Sequence, residues 1–126
     1  MVRQTLDKDA PAAYLYTALG AAGLYYRQLK GARANYLPSN NASQLPAFSV
    51  PGYLRLTRYG NTISAFISED GKAYAQIAMV TFPLGKAYVG LSVDGGSHAI
   101  CSATFSNYSC KVYDPLVPAR AIISGE

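Results

Sequence analysis

The sequence predicts an all-β fold, an antiparallel β-sandwich, and three observations indicate it. Tyrosine occurs 11 times in 126 residues, and tyrosine, threonine, valine and isoleucine suit a pleated, half-buried surface better than a helix. Apolar and polar residues alternate along several short segments, which Gly-Asn and Asp-Gly turns separate. No segment has the spacing of an amphipathic helix. Half of the residues are apolar, which suits one domain with a single core.

The first hairpin is predicted at residues 12–17 and 24–29. Their segment, "AAYLYTALGAAGLYYRQL", is apolar enough for a buried helix or a short membrane segment, but it contains Gly20 and Gly23. Each glycine inside a helix would cost about 1 kcal/mol relative to alanine, whereas a hairpin loop uses the positive φ that glycine adopts. Residues 30–52 are rich in proline and asparagine and predict a loop, with a short strand at 32–36.

A three-strand meander is predicted from residue 53 to residue 81. Leu54 and Leu56 alternate with polar residues before Gly60-Asn61, and the next strand repeats the pattern up to the Asp70-Gly71 turn. The third strand covers residues 74–81, and Pro83 ends it.

Two further strands are predicted after the meander. In residues 86–93 an apolar stripe alternates with polar residues, and after a "DGG" turn the segment "AICSATF", residues 99–105, is the last strand. Residues 111–126 predict a tail or linker because they contain two prolines. The predicted domain is therefore residues 1–110. The apolar stripe of residues 86–93 consists of Ala87, Val89, Leu91 and Val93.

Charge and cysteine content point to no specific partner. The formal net charge is +4, but the cations are spread along the sequence, and a solvated hairpin explains the closest group, Arg27, Lys30 and Arg33; no nucleic-acid partner is expected. Cys101 and Cys110 would lie about 30 Å apart in one extended strand, so they pair only if the chain turns between them. No secretory signal and no apolar run of membrane-spanning length is present.

Residues suited to catalysis or metal binding lack partners in the sequence. The carboxylates lie mostly in turns or tails, and Asp70 favours its own backbone in a turn. His98 is the single histidine and has only Asp94 nearby, which is too little for a metal or catalytic site. Calcium at Asp94 would need six or more oxygens, so no metal or other cofactor is expected. We expect no enzymatic activity.

Several ordered motifs resemble a known group of domains. "YLRLTRYGNTISAFISEDGKAYAQI", then "AYVGLSV", then "SATFSN" resembles the bacterial concanavalin A-like lectin/glucanase superfamily, in its DUF1349 and laminin-G-like group. Upstream, "VRQTLDKDAPAAYLYTALGAAGLYYRQ" is similar to that group's first hairpin. The resemblance implies a jelly-roll sandwich that has lost its N-terminal strands, with Met1 either a true start or an internal methionine. A missing strand would leave a sheet edge open to self-association.

The resemblance also implies a function: a noncatalytic, lectin-like, carbohydrate-binding accessory domain of a secreted or surface protein. The alternative is a structural or protein-interaction module that associates through an exposed sheet edge or face. Sugar sites pair an aromatic platform with polar hydrogen-bonding groups. Either Tyr25 or Tyr26 faces outward, and packing is the competing explanation for every tyrosine. The candidate ligand-binding residues are Tyr26, Arg27, Arg55, Tyr59 and Tyr88, with Tyr25 as the alternative to Tyr26.

Overall fold

The computed structural model describes residues 1–94 and 100–111. The chain divides into two compact units, Met1–Leu91 and Ser92–Glu126. All the strands that the structure describes belong to the first unit. The predicted domain of 1–110 spans both units, and the predicted tail lies outside the described residues except for Lys111.

The larger of two sheets in the first unit has five strands. Strands that lie next to each other in this sheet pair antiparallel, and their spatial order is β4-β3-β2-β1-β8. The short strand β1, which pairs on both sides, was not predicted from the sequence. The strands are β1 (Val2–Arg3), β2 (Ala12–Ala18), β3 (Ala21–Arg27), β4 (Asn35–Leu37) and β8 (Tyr88–Val89).

The smaller sheet is the predicted meander, β5 (Tyr53–Tyr59), β6 (Thr62–Ser68) and β7 (Ala75–Thr81), in that spatial order. A register shift between Ala65 and Phe66 interrupts the pairing of β6 with β7. A single 3-10 turn, Ala42–Gln44, lies in the loop before β5. The all-β prediction and these three strands are confirmed.

The first hairpin is also confirmed, but its turn is tighter than predicted. Ala18 pairs with Ala21, so the connection is only Leu19 and Gly20, with φ of 53° and 79°. Two-residue turns with positive φ match the twist of the flanking strands. Gly23, which the sequence placed in the loop, lies inside β3 opposite Tyr16.

One core lies between the inner faces of the two sheets. The larger sheet contributes Val2, Ala13 and Leu24, and the smaller contributes Ile63, Ala65, Ala78 and Val80, with Phe82 and Leu84 following β7. Leu24 and Ile63 have no exposed surface. This shared core is the arrangement of a β-sandwich.

The predictions for the segment after Pro83 were largely wrong. Within 86–93 only Tyr88–Val89 forms a strand, which pairs with the two residues of β1. Leu91 and Val93 are 47% and 46% exposed and belong to no strand. Residues 100–105, predicted as the last strand, have no regular secondary structure. No helix among the described residues is long and apolar enough to cross a membrane.

Candidate functional site

The outer face of the larger sheet carries four tyrosines. Leu24 is buried and Tyr26 packs against the core, so Tyr25, which lies between them, points to the other side of β3. The register places Tyr14 and Tyr36 directly opposite Tyr25 on the two neighbouring strands. We call this surface the tyrosine face; its residues are Tyr14, Tyr16, Tyr25 and Tyr36.

The rings of the tyrosine face contact one another edge to face. Ring centroids lie 5.6 Å apart for Tyr14 and Tyr25, 5.2 Å for Tyr25 and Tyr36, and 6.1 Å for Tyr16 and Tyr36, with interplanar angles of 74°, 73° and 82°. Such pairs contribute about 0.5–1.5 kcal/mol each beyond the area they bury. The four side chains therefore form one continuous aromatic surface over three strands.

Gly23 makes room for Tyr16 in this surface. A Cβ atom built on Gly23 would lie 2.8 Å from the Tyr16 hydroxyl oxygen and 3.0 Å from two of its ring carbons. Because Gly23 has no side chain, the Tyr16 ring lies across β3 and reaches Tyr36 on β4. A glycine in a strand is expected where another group approaches the backbone closely.

The tyrosine hydroxyls give the face its polar chemistry. The Tyr25 hydroxyl oxygen accepts from Arg27 Nη2 at 3.4 Å. Burial, followed by the proximity of Tyr36, raises the pKa of Tyr16, so this hydroxyl is protonated throughout the physiological range. Tyr36 is 42% exposed, and the other three tyrosines are partly exposed. The face thus offers ring surface together with hydroxyl donors and acceptors to a ligand.

Arg27 holds the loops at one end of the tyrosine face. Its Nε donates to the carbonyl of Ala32 at 2.9 Å, and its Nη1 donates to the carbonyls of Lys8 and Ala10 at 3.0 and 3.4 Å. A guanidinium has five N–H donors in a planar fork, which suits it to joining several acceptors. Arg27 is thereby a positioning residue for the β1–β2 and β3–β4 loops.

Of the two tyrosines that the sequence left open as the outward residue, Tyr26 faces the core, which does not favour it as a ligand-binding residue. Its ring stacks on Phe82, with centroids 6.3 Å apart and planes 25° apart, and it packs against the core. The structure selects Tyr25 as the outward residue of the pair. Because two adjacent residues of the same type could each occupy either face of a strand, the sequence does not tell which one faces outward. Only the packing of β3 distinguishes them.

The other predicted site residues lie on both sheets. Arg55 of β5 holds its guanidinium carbon 3.6 Å above the centre of the Tyr74 ring, a cation–π contact. Tyr59, at the end of the same strand, is 69% exposed. Tyr88 of β8 is 54% exposed and borders a shallow depression together with Gln4 and Lys86. Arg55 and Tyr59 are therefore on a different sheet from the tyrosine face.

Sequence reasoning missed Tyr14, Tyr16 and Tyr36 as members of one surface. Tyr36 joins Tyr25 through the pairing of β4 with β3. Tyr14 and Tyr16 join Tyr25 through the register of the first hairpin, which depends on the two-residue turn at Leu19 and Gly20. A longer predicted loop left that register undefined. Placing the turn at "LG" would have brought Tyr14 opposite Tyr25.

Asp70 bonds the main chain of its own turn, as the sequence predicted. Asp70 Oδ1 accepts from the main-chain N–H of Lys72 and Ala73 at 2.8 and 3.0 Å and from the Ser68 hydroxyl at 3.0 Å. These bonds lower the pKa of Asp70. Asp7 lies 3.7 Å from Lys30 Nζ.

The sequence also raised the cysteines, the single histidine and possible metal ligands. Among residues 1–94 and 100–111, no group of three or more histidine, cysteine or acidic side chains could hold a metal ion. Cys101 and Cys110 are exposed free thiols. His98 lies outside the described residues.

Comparison with known proteins leaves the family open. No family model matches the chain, and no curated protein or solved structure is significantly similar to it. The assignment to the concanavalin A-like group and the jelly-roll connectivity that it implies therefore stay predictions.

Proposed function

We propose that this chain is a noncatalytic carbohydrate-binding domain of the concanavalin A-like, laminin-G-like type, and that it binds sugar on the tyrosine face. The proposal places the parent protein outside the cell or at its surface. The observation that carries it is the continuous aromatic surface formed by Tyr14, Tyr16, Tyr25 and Tyr36. The motif resemblance supports the same class independently of this surface.

The chemistry of the face suits a sugar better than a purely apolar ligand. Sugars combine apolar C–H faces with rings of hydroxyls, and the face combines tyrosine rings with tyrosine hydroxyls. Because the rings lie across three hydrogen-bonded strands, the surface is preorganised, and binding would immobilise few side chains. An extended polysaccharide can contact several of these rings at once, which suits a flat site without a deep pocket.

The experiment is a binding screen of the purified chain against plant, algal and microbial polysaccharides, performed once near-ultraviolet circular dichroism shows fixed side-chain packing. Tyr36→Ala should weaken binding about tenfold, as expected for the loss of one aromatic contact. Tyr53→Ala is the matched control, because Tyr53 is 38% exposed but lies on the smaller sheet. Tyr88→Ala and Tyr59→Ala extend the comparison to the sequence-predicted positions.

Three results would contradict the proposal. One is a folded wild-type chain that binds no polysaccharide of the panel. Another is a Tyr53→Ala variant that loses as much affinity as Tyr36→Ala. The third is full binding by a folded Tyr36→Ala variant.

A second candidate is self-association through the edge strand β7. This strand pairs only with β6 in the first unit, and its sequence "AQIAMVT" has no charge and no proline. Natural edge strands usually carry such residues to prevent pairing. Met79, in its middle, is 57% exposed. The partner of this candidate is a second copy of the chain, which would extend the sheet.

Light scattering across a range of concentrations tests this candidate. Met79→Lys should shift a dimer to monomer, whereas Met79→Gln, which changes polarity without adding charge, should retain more of the dimer. A wild-type chain that remains monomeric throughout would exclude the candidate.

A further inference from the structure

Six of the nine cations of the first unit lie in segments at one end of the larger sheet. Three segments meet there: the β1–β2 loop, the β3–β4 loop and the segment before β8. The Gly31 N–H donates to the Asp9 carbonyl at 2.9 Å, which joins the first two, and the pairing of Arg3 with Tyr88 brings in the third. We call these segments the basic end; its cations are Arg3, Lys8, Arg27, Lys30, Arg33 and Lys86.

The basic end accounts for the whole net charge of the chain. Its six cations are accompanied by only two carboxylates, Asp7 and Asp9, which leaves an excess of four positive charges, and the formal net charge of the chain is +4. All other residues therefore carry equal numbers of both signs. Along the sequence these cations look scattered, and only the sheet register brings them together.

Two of the six cations organise this end of the sheet. Arg3 Nε donates to the Thr5 carbonyl at 2.7 Å and Arg3 Nη2 donates to the Asp7 carbonyl, while Arg27 bonds carbonyls of both loops. Lys8, Arg33 and Lys86 are exposed, and the Lys30 side chain is 67% exposed beside Asp7. Arg3 and Arg27 thus fix the loops, and the other four cations face solvent.

The basic end is continuous with the tyrosine face. Arg27 Nη2 donates to the Tyr25 hydroxyl. Ala12, which lies between Arg3 and Arg27 in the register, is two residues from Tyr14 on the same strand face. A polymer that lies on the tyrosines and extends toward this end therefore passes the exposed lysines.

We propose that the ligand of the tyrosine face is an acidic polysaccharide, one that carries carboxylate or sulfate groups. This inference rests on the proposed function and adds the charge of the ligand to it. Exposed ion pairs contribute little individually, but several along one polymer add up, and the local positive potential accelerates encounter. Such binding weakens with salt, because the screening length is about 10 Å at 0.1 M ionic strength.

A matched pair of polymers separates charge from sugar binding. Polygalacturonate and the same polymer after reduction of its carboxyl groups share length and linkage but differ in charge. At low salt we expect the chain to bind polygalacturonate about tenfold more tightly than the reduced polymer. We expect this ratio to fall toward one as sodium chloride is added.

Charge variants test whether the acidic groups of the polymer bind at the basic end. The double variant Lys8→Gln, Lys86→Gln should remove most of the preference for the acidic polymer. The matched control is Arg58→Gln, Lys72→Gln, which lowers the net charge equally in β5 and the β6–β7 connection, outside the basic end, and should retain the preference.

The outcomes that would overturn the inference differ from those for the proposed function. Equal binding of both polymers contradicts an acidic ligand but leaves carbohydrate binding intact, whereas binding of no polysaccharide contradicts both. If the control variant loses the preference for the acidic polymer to the same extent, the preference depends on net charge alone, and the assignment to the basic end is wrong. A single-stranded oligonucleotide that competes better than polygalacturonate at equal charge concentration would overturn the polysaccharide class.

Discussion

The ring of Tyr16 lies against the main chain of Gly23, so close that a Cβ atom on Gly23 would lie 2.8 Å from the tyrosine hydroxyl. The two residues are direct cross-strand partners. This contact lets Tyr16 reach Tyr36 across an intervening strand. The extent of the tyrosine face therefore depends on a glycine that carries no functional group.

Gly23→Ala should destabilise the fold by about 1 kcal/mol, because the new methyl group displaces the Tyr16 ring and overpacking of this kind costs energy. Urea unfolding measures the change. In a Tyr16→Val background the same substitution should be neutral or stabilising, since alanine orders a strand better than glycine. A Gly23→Ala variant that is more stable than wild type would show that the ring moves away at no cost.

Tyr25→Ala and Tyr26→Ala should separate surface from core. Tyr26→Ala removes a ring packed between the sheets and should cost about 3 kcal/mol. Tyr25→Ala removes two edge-to-face contacts and should cost about 1–2 kcal/mol. Only Tyr25→Ala should lower polysaccharide binding in a folded variant. The reverse order of stabilities, measured by chemical unfolding, would contradict the assigned faces.

The Asp70 turn should make stability depend on pH in the acid range. Its hydrogen bonds to Lys72, Ala73 and Ser68 lower the pKa in the folded state, from about 3.9 in an unfolded chain. The stabilisation is therefore present above the unfolded value and is lost as pH falls through the folded pKa. A carbon-detected NMR titration of the Asp70 carboxyl measures its pKa in the folded state directly. A titration midpoint above 3.9 for Asp70 would contradict the geometry.

Tyr16 should produce the opposite dependence at alkaline pH. Burial, and then the nearby Tyr36, raises its pKa in the folded state above about 10, the usual value for tyrosine. Stability should therefore fall as pH rises from about 10 through the folded pKa, because the unfolded chain releases this proton first. Ultraviolet titration of the wild type minus Tyr16→Phe isolates its ionisation. A difference curve centred below 10 would show that the hydroxyl is not buried as described.

The sequence predicted strands well where a local turn defines the neighbour. Gly60 and Asp70-Gly71 place β5, β6 and β7 beside one another, and Gly20 does the same for β2 and β3. Alternation alone was insufficient at 86–93, because a strand also needs a partner, and only Tyr88 and Val89 pair with β1. Amphipathic alternation predicts which face is apolar but not whether another strand lies alongside.

The candidate site was predicted less completely, for two physical reasons. Tyr25 and Tyr26 are chemically identical neighbours, so only the packing of Tyr26 on Phe82 reveals which one faces the core. The cations of the basic end come from three separate segments, and their proximity depends on the pairing of β1 with both β2 and β8. A strand of two residues is too short to show an alternating pattern in the sequence, so its pairing could not be predicted.

The central claim, that the tyrosine face binds carbohydrate, is tested most directly by NMR on the chain with carbon-13-labelled tyrosine rings. The titrants are galacturonate and galactose hexasaccharides, and tyrosine-to-phenylalanine variants assign the signals. We predict ligand-dependent shifts for Tyr14, Tyr16, Tyr25 and Tyr36. The signals of Tyr53, in β5 of the other sheet, and of Tyr74, whose ring contacts Arg55 of β5, should not change. Shifts confined to Tyr53 and Tyr74, or no shift with either oligosaccharide, would contradict the account.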